Sequence, residues 1–217
     1  LAELKAAAGG TTDEVASLIS KAITTNPSEV APRLALIQFY LNKKDGKKAL
    51  TAANDAAAAI PDKPEILDAL GRTQQFSGDF NQAMSTYGKL STLQPNSPLA
   101  QMRLAEINLA NKNKDEAAKS LKKALDIKPD LIEAQRGLIL LALDAKKPND
   151  ALGIARQVQQ QKPKEPVGFV LEGDIYASEK AWPDAIKAYQ NGLKQVAVPE
   201  LAIKLHSALL ASGNTPE

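Results

Sequence analysis

The sequence predicts an all-α fold, a right-handed solenoid of antiparallel helix pairs, from three observations. Prolines recur every 34 residues, at Pro27, Pro61, Pro95, Pro129 and Pro163. Alanines stand twelve residues before the last four of these prolines, at Ala49, Ala83, Ala117 and Ala151, and Ala185 continues the series. Each period also contains two stretches with apolar residues at helical spacing. Because two short helices cannot bury their apolar faces alone, each pair must stack on the next, with small residues where helices cross.

The period from Pro61 to Pro98 shows this pattern most clearly. A first helical face is followed by the turn Gly78-Asp79, a second helical face and Pro95. The members of the two faces are Leu67, Leu70, Gly71 and Gln74, then Ala83, Tyr87 and Leu90. This order resembles the tetratricopeptide repeat (TPR), in which W-x2-L-G-x2-Y is followed by A, F and P. The resemblance implies a helix–turn–helix unit of 34 residues that is repeated along the chain.

The same register divides the whole chain, residues 1–217, into a single solenoid segment. The full repeats are 30–63, 64–97, 98–131, 132–165 and 166–198, with half-repeats at 1–29 and 199–217. A helix is expected to end at Ala8, before Gly9-Gly10, and a first helix without its second is expected from Glu200 to Ala211. Since both ends cut through a repeat, we expect a segment excised from a longer protein. Such open ends are expected to permit weak self-association.

Local signals support the ends of individual helices. The expected capping pairs are Thr11 with Glu14, Asp79 with Gln82, and Asp130 with Glu133. Pro64 suits a first helical turn, where its missing N–H costs nothing. In the fifth repeat Ala197 stands where the terminating proline is expected, and Pro199 comes two residues late. We therefore expect this last junction to be the least regular one.

Lysines replace glycine at one turn position of most repeats. Lys44, Lys112, Lys146 and Lys180 stand where Gly10, Gly78 and Gly213 stand elsewhere. A lysine at this place complements the negative carboxyl end of the preceding helix. The simplest interpretation of these lysines is a solvated turn.

Composition excludes several classes of function. The net charge of +2 predicts no nucleic-acid partner, and no apolar run approaches the ~18 residues of a membrane span. The chain has no cysteine, and its one histidine, His206, makes neither a catalytic triad nor a metal site. No phosphate-binding or metalloprotease motif is present. We therefore expect no enzyme activity, no cofactor and no metal.

Several short sequence segments resemble those of a narrower family. They are A-P-R-L-A-L at 31–36, L-G-R-T-Q at 70–74, L-Q-P-N-S-P-L-A at 93–100, L-E-G-D at 171–174 and E-L-A-I-K-L-H-S-A-L at 200–209. Together they resemble the TPR-repeat lipoproteins of bacterial PEP-CTERM/exosortase systems. The resemblance implies a protein on the periplasmic side of the bacterial cell envelope, associated with exopolysaccharide and surface-protein sorting. It also implies a lipid anchor near the start of the full-length protein, on a cysteine that this segment lacks.

The function that we predict is a protein–protein interaction scaffold, whose first helices line a concave groove for a protein or peptide partner. The fifth and ninth positions of each first helix are expected to point into the groove. They give Leu34, Gln38, Asp68, Arg72, Met102, Glu106, Arg136, Leu140, Val170 and Asp174. Asp68 and Arg72, one helical turn apart, are expected to form an ion pair. The lysine and asparagine clamp of co-chaperone repeats is missing from these positions.

The alternative is a structural spacer or self-assembling rod with no groove ligand.

Overall fold

The computed structural model describes residues 9–213 and shows twelve α-helices, with no strand, in that part of the chain. The helices are α1 (Thr12–Thr25), α2 (Val30–Asn42), α3 (Gly46–Ala59), α4 (Pro64–Phe76), α5 (Phe80–Leu93), α6 (Leu99–Ala110), α7 (Lys114–Ile127), α8 (Ile132–Asp144), α9 (Pro148–Gln161), α10 (Val167–Ser178), α11 (Trp182–Gln195) and α12 (Pro199–Ala211). The prediction of an all-α fold of helix pairs is confirmed. The helix predicted to end at Ala8, and residues 214–217 of the last half-repeat, lie outside the described residues.

Even-numbered helices are the first helices of the repeats, and odd-numbered helices are the second helices. The chain divides into two compact units, Leu1–Ala117 and Ala118–Glu217, with the division inside α7. Within the first unit, α1 to α6 pack in sequence, and α2 also contacts α4. Within the second unit, α8 to α12 pack in sequence, and α10 also contacts α12. First helices therefore lie beside first helices, as the stacking of repeats requires.

The core of each unit lies between its first and second helices. The alanines of the 34-residue series, Ala49, Ala83, Ala117, Ala151 and Ala185, are all fully buried, as is expected where helices cross closely. Val15, which takes the alanine's place in α1, is 3% exposed. The register read from the sequence thus identifies the buried line of the second helices.

Facing residues at the helix crossings differ in size in a compensating way. In two repeats a glycine of the first helix meets a tyrosine of the second: a Cβ added to Gly71 would lie 2.5 Å from the Tyr87 ring, and one added to Gly173 would overlap Tyr189. In two other repeats the first helix carries the larger residue. There Ile37 and Ala53 share one core cluster, and Ile139 and Ala155 share another. Each of these four crossings therefore combines one large and one small side chain, which keeps the local volume filled.

The capping predictions are confirmed for two helices and wrong for a third. Thr11 and Glu14 form both hydrogen bonds of a capping box at α1. The Asp79 carboxylate accepts a hydrogen bond from the Gln82 N–H at α5. At α8, however, the N-cap is Leu131, and no side chain caps the helix. Asp130 lies one residue too early to reach the amide groups of the first turn.

The turn at the glycine or lysine position of the repeat has the same backbone geometry in every case that the structure describes. Its residue has a positive φ, between 57° and 62° at Lys44, Lys112, Lys146 and Lys180, and 79° or 80° at Gly9, Gly78 and Gly213. The glycine of the first such turn is thus Gly9, not the predicted Gly10. In the turn after α2, the Lys44 N–H donates to the Leu41 carbonyl and the Asp45 N–H to the Tyr40 carbonyl. This is the Schellman arrangement that ends a helix at a left-handed residue.

Candidate binding surface

Two cavities lie on the first-helix face of the first unit. The first has a volume of about 490 Å³, and four of the predicted groove residues line it: Leu34 and Gln38 from α2, and Asp68 and Arg72 from α4. The second has a volume of about 570 Å³, and Gln38, Arg72 and Glu106 line it. Its wall also includes Asn42, Gln75, Phe76, Phe80 and Arg103. We refer to them together as the unit 1 cavities.

A third cavity, the unit 2 cleft, lies on the first-helix face of the second unit and has a volume of about 480 Å³. It is lined by four further predicted residues, Arg136, Leu140, Val170 and Asp174, and by Ile139, Leu143, Leu171, Ile175, Ser178, Glu200 and Lys204. Three first helices, α8, α10 and α12, thus contribute to it. Val170 is buried in the floor, whereas Leu140 is 67% exposed.

Nine of the ten predicted groove residues therefore line cavities of the first-helix face. The exception is Met102 of α6, which is half-buried and lines none of these three cavities. Phe76 and Lys204 also line these cavities, although neither belongs to the predicted set. Lys204 is one period after Val170, so continuing the register into the last half-repeat would have found it. Phe76, which is 51% exposed, ends α4 outside the fifth and ninth positions and had no such signal.

Ion pairs between neighbouring first helices neutralise two of the cavity carboxylates, Asp68 and Asp174. The predicted pair of Asp68 with Arg72 does not form, because Arg103 of α6 reaches Asp68 instead, with an Nε–Oδ1 distance of 2.9 Å. Arg103 also contacts Glu106 at 3.0 Å. Burial lowers the pKa of Arg103, but the hydrogen bond and charge of Asp68, and then those of Glu106, outweigh burial and raise the pKa above its usual range. Arg103 is therefore held as a cation by two carboxylates.

The corresponding carboxylate of the unit 2 cleft is Asp174. The Lys204 ammonium donates to both of its oxygens at 2.8 and 2.9 Å, and the Tyr189 hydroxyl donates to Oδ1 at 2.7 Å. Burial, followed by this hydrogen bond and the charge of Asp174, raises the pKa of Tyr189. Tyr87, which lies below Asp68 and donates to its backbone carbonyl at 3.3 Å, also has a raised pKa because of burial and then the Asp68 charge. Both phenols therefore stay protonated, and each donates a hydrogen bond from a second helix to a first helix.

Two arginines at the cavities have no partner among residues 9–213, the part of the chain that the structure describes. Of the five arginines, Arg33 donates to the Pro27 carbonyl, Arg103 is paired as described, and Arg156 binds Glu172 and Tyr176. Arg72 and Arg136 are exposed, and neither has a hydrogen bond or ion pair to any described residue. Both belong to the predicted groove set. Each guanidinium can therefore offer all of its donors to another molecule.

Two other kinds of feature are absent from residues 9–213. That part of the chain holds no group of three or more histidine, aspartate or glutamate side chains placed to bind a metal ion. None of its helices combines the length and the apolar character that a membrane crossing demands.

Comparisons with known proteins agree with this architecture. Residues 77–141 match the family model of the tetratricopeptide repeat. A tetratricopeptide repeat protein from Parabacteroides merdae has a similar structure, with a TM-score of 0.61, 15% sequence identity, and coverage of 98% of this chain and 84% of that one. Yeast Tom70 gives a TM-score of 0.66 at 14% identity, over 92% of this chain and 43% of that one. At these identities the likeness establishes the fold, which is that of TPR solenoid proteins.

One curated relative is an enzyme. The protein O-mannosyl-transferase Tmtc3 of Drosophila melanogaster is 36% identical over 78 residues, which are 36% of this chain. The chain spans only about 8% of that protein's length, so the match concerns a short repeat segment. None of these findings supports the narrower resemblance to PEP-CTERM lipoproteins.

Proposed function

We propose that this chain, which carries tetratricopeptide repeats at residues 77–141, is a non-enzymatic scaffold that holds a protein or peptide partner on its first-helix face. TPR proteins generally act in this way, because stacked repeats present a long, rigid surface built from successive first helices. The observation that carries the proposal is the pair of unpartnered arginines. Arg72 and Arg136 lie at cavities whose carboxylates Asp68 and Asp174 already have cationic partners. The charge left free at these positions suits a carboxylate or a carbonyl of another chain.

A comparison of three proteins tests this proposal: the wild type, a groove variant and a matched control. The groove variant is Arg72→Glu with Arg136→Glu. The control is Lys123→Glu with Lys187→Glu, which makes the same change in net charge on exposed residues of the second helices α7 and α11. Each protein is immobilised, and partners recovered from an extract of the source organism are identified and compared. Melting temperatures of the three proteins establish that the fold is unchanged.

We expect the groove variant to lose partners that the wild type and the control variant retain, because a reversed charge repels a carboxylate that the arginine would bind. Full retention by the groove variant would place binding on the second helices or the helix edges. Loss by the control variant alone would lead to the same conclusion.

The cellular setting that we propose is the periplasmic side of a bacterial envelope, in association with exopolysaccharide and PEP-CTERM sorting. Its support is the set of phrases at 31–36, 70–74, 93–100, 171–174 and 200–209. Under this proposal the full-length protein carries a lipid anchor. Fractionation of the source organism, followed by detection with an antibody to this segment, tests the setting. Recovery in the cytoplasmic fraction would contradict it.

A second candidate function is a self-assembling rod, and α12 provides the observation that favours it. Ile203 is 65% exposed and Leu210 is 49% exposed, whereas Leu201 is fully buried against the preceding helices. Apolar side chains exposed in this way commonly mark an interface. Sedimentation of the wild type and of Ile203→Lys with Leu210→Lys tests this function. Concentration-dependent association that the variant abolishes would support the rod, and a monomeric wild type would exclude assembly through α12.

A further inference from the structure

The unit 2 cleft is lined by six aliphatic and four charged side chains, and it has almost no neutral hydrogen-bonding group. Among its described lining residues there is no asparagine or glutamine, and its one hydroxyl, on Ser178, already donates to the Ile175 carbonyl at 2.7 Å. The unit 1 cavities differ, because Gln38, Gln75 and Gln94 line them. An extended peptide brings unpaired backbone N–H and C=O groups, whose burial without partners is costly. A helix satisfies these groups internally and needs only side-chain contacts.

The apolar surface of the cleft is accessible from outside. Leu140 is 67% exposed, more than any other large apolar side chain among the described residues. Behind it the floor is formed by buried aliphatic residues, including Ile139 and Val170. A volume of about 480 Å³ is within the range of binding pockets, and it suits a few aliphatic side chains rather than a whole helix. The occupant therefore inserts an apolar stripe and leaves its backbone outside.

The free charges of the cleft lie on opposite helices. Neither Arg136 of α8 nor Glu200 of α12 has a hydrogen bond or ion pair to any described residue. Between them Asp174 and Lys204 neutralise each other. Neighbouring helices lie about 8–10 Å apart, so α8 and α12 are separated by roughly 20 Å. A partner helix covers that distance in about thirteen residues.

We propose that the unit 2 cleft binds an amphipathic helix of a partner protein, with aliphatic side chains at i, i+3, i+4 and i+7, an acidic residue at Arg136 and a basic residue at Glu200. This proposal rests on the proposed scaffold function and adds the class of partner. The acidic residue lies near the amino end of the partner helix, where the helix dipole favours a negative charge. The two charges therefore fix the direction in which the helix lies across α8, α10 and α12.

Fluorescence anisotropy with a labelled peptide of about 16 residues tests the proposal. The peptide consists of alanine and glutamine, with leucines at the spacing given above, glutamate near its amino end and lysine near its carboxyl end. A second peptide has the two charged residues exchanged. A third has the composition of the first but carries two prolines, which prevent a helix. Circular dichroism shows whether the first peptide becomes more helical when it binds.

We expect the first peptide to bind, and Arg136→Glu and Leu140→Gln each to weaken its binding by about tenfold. Lys187→Glu, an exposed residue of the second helix α11 in the same unit, is the matched control and should leave the affinity unchanged. The variant Arg136→Glu with Glu200→Lys should prefer the peptide with exchanged charges. Because these residues are exposed or half-buried on helix surfaces, unchanged melting temperatures are expected throughout.

Two outcomes would overturn the proposal. If the proline peptide binds as well as the first, the cleft accepts an extended chain, and the scaffold function stands without the helical partner. If neither the first peptide nor the proline peptide binds at millimolar concentration, the proposal for this cleft is wrong. The comparison of groove and control variants described above then decides separately whether the scaffold function itself survives.

Discussion

The compensating residue sizes at the helix crossings explain why single substitutions there are expected to be severe. Tyr87 and Leu90 are fully buried, and the Tyr87 ring occupies the space that a side chain at residue 71 would need. In the first repeat, the same two positions hold Ile37 and Ala53. The same backbone arrangement therefore accepts either a glycine with a tyrosine or an isoleucine with an alanine. Interiors packed to crystal-like density require such matching.

We predict that Tyr87→Ala costs about 3–5 kcal/mol, because it leaves a cavity beside Gly71. Gly71→Ile is expected to prevent folding, since the new side chain overlaps the ring. The double variant Gly71→Ile with Tyr87→Ala should recover most of the lost stability, because it reproduces the pair of the first repeat. Circular dichroism shows whether Gly71→Ile folds, and urea unfolding compares the wild type, Tyr87→Ala and the double variant. Additive losses in the double variant would show that the two positions do not share one space.

The two buried phenols predict a loss of stability in alkali. Burial raises the pKa of Tyr87 and of Tyr189 above the ordinary value of 10.0, so the folded chain holds these protons to higher pH than the unfolded chain does. Their contribution is fully present below pH 10 and is lost as pH rises above it. Unfolding free energies measured on either side of pH 10 should fall more steeply for the wild type than for Tyr87→Phe. If the unfolding free energies of the wild type and of Tyr87→Phe fall equally with pH, Tyr87 does not contribute to the loss of stability in alkali.

At the scale of single elements, the left-handed turns show how a helix boundary can be read from sequence. The turns after α2 and α4 end their helices in the same way, although one has Lys44 and the other Gly78 at the left-handed position. The boundaries were predictable because this position recurs with the repeat. The cap at α8 was not, because Asp130 and Glu133 have the spacing of a capping box while Leu131 takes the N-cap place. A spacing alone does not fix which residue begins a helix.

We predict that Lys44→Gly stabilises the chain by about 0.5–1 kcal/mol, because a left-handed conformation costs an L-residue about 1–2 kcal/mol and glycine's greater freedom in the unfolded chain offsets part of that gain. Gly78→Ala should destabilise by about 1 kcal/mol for the same reason. Lys43→Gly is the control, since Lys43 has a φ of −80° and gains nothing from glycine. Thermal unfolding of the three variants and of the wild type gives their order of stability. A destabilised Lys44→Gly would mean that the lysine makes contacts that outweigh its strain.

At the scale of the whole molecule, features that recur with the repeat could be predicted from the sequence, whereas contacts specific to one pair of helices could not. The helix pairs, the buried alanines and the spacing of the nine predicted residues that line cavities all follow from one period of 34 residues. The partner of Asp68 does not, because Arg103 stands 35 residues away on the next first helix and its reach depends on how two helices pack. For the same reason, the composition of each cavity could not be predicted. Residues of three helices line the unit 2 cleft. The prediction had included only the fifth and ninth positions of each first helix.

The paired sizes at the crossings also determine how such a chain can grow or shrink by recombination. Deletion of residues 45–78 would join Lys44 to Asp79, and the turn would keep both its left-handed residue and its aspartate cap. Yet it would bring Ile37 to face Tyr87, two large residues in a space made for one. Deletion of residues 62–95, from one proline to the next, removes the glycine and the tyrosine together and leaves Ile37 with Ala53. A deletion or duplication from proline to proline therefore keeps each large residue paired with its small one. A deletion from turn to turn preserves the backbone geometry but brings two large side chains together, so we expect it to destabilise the fold.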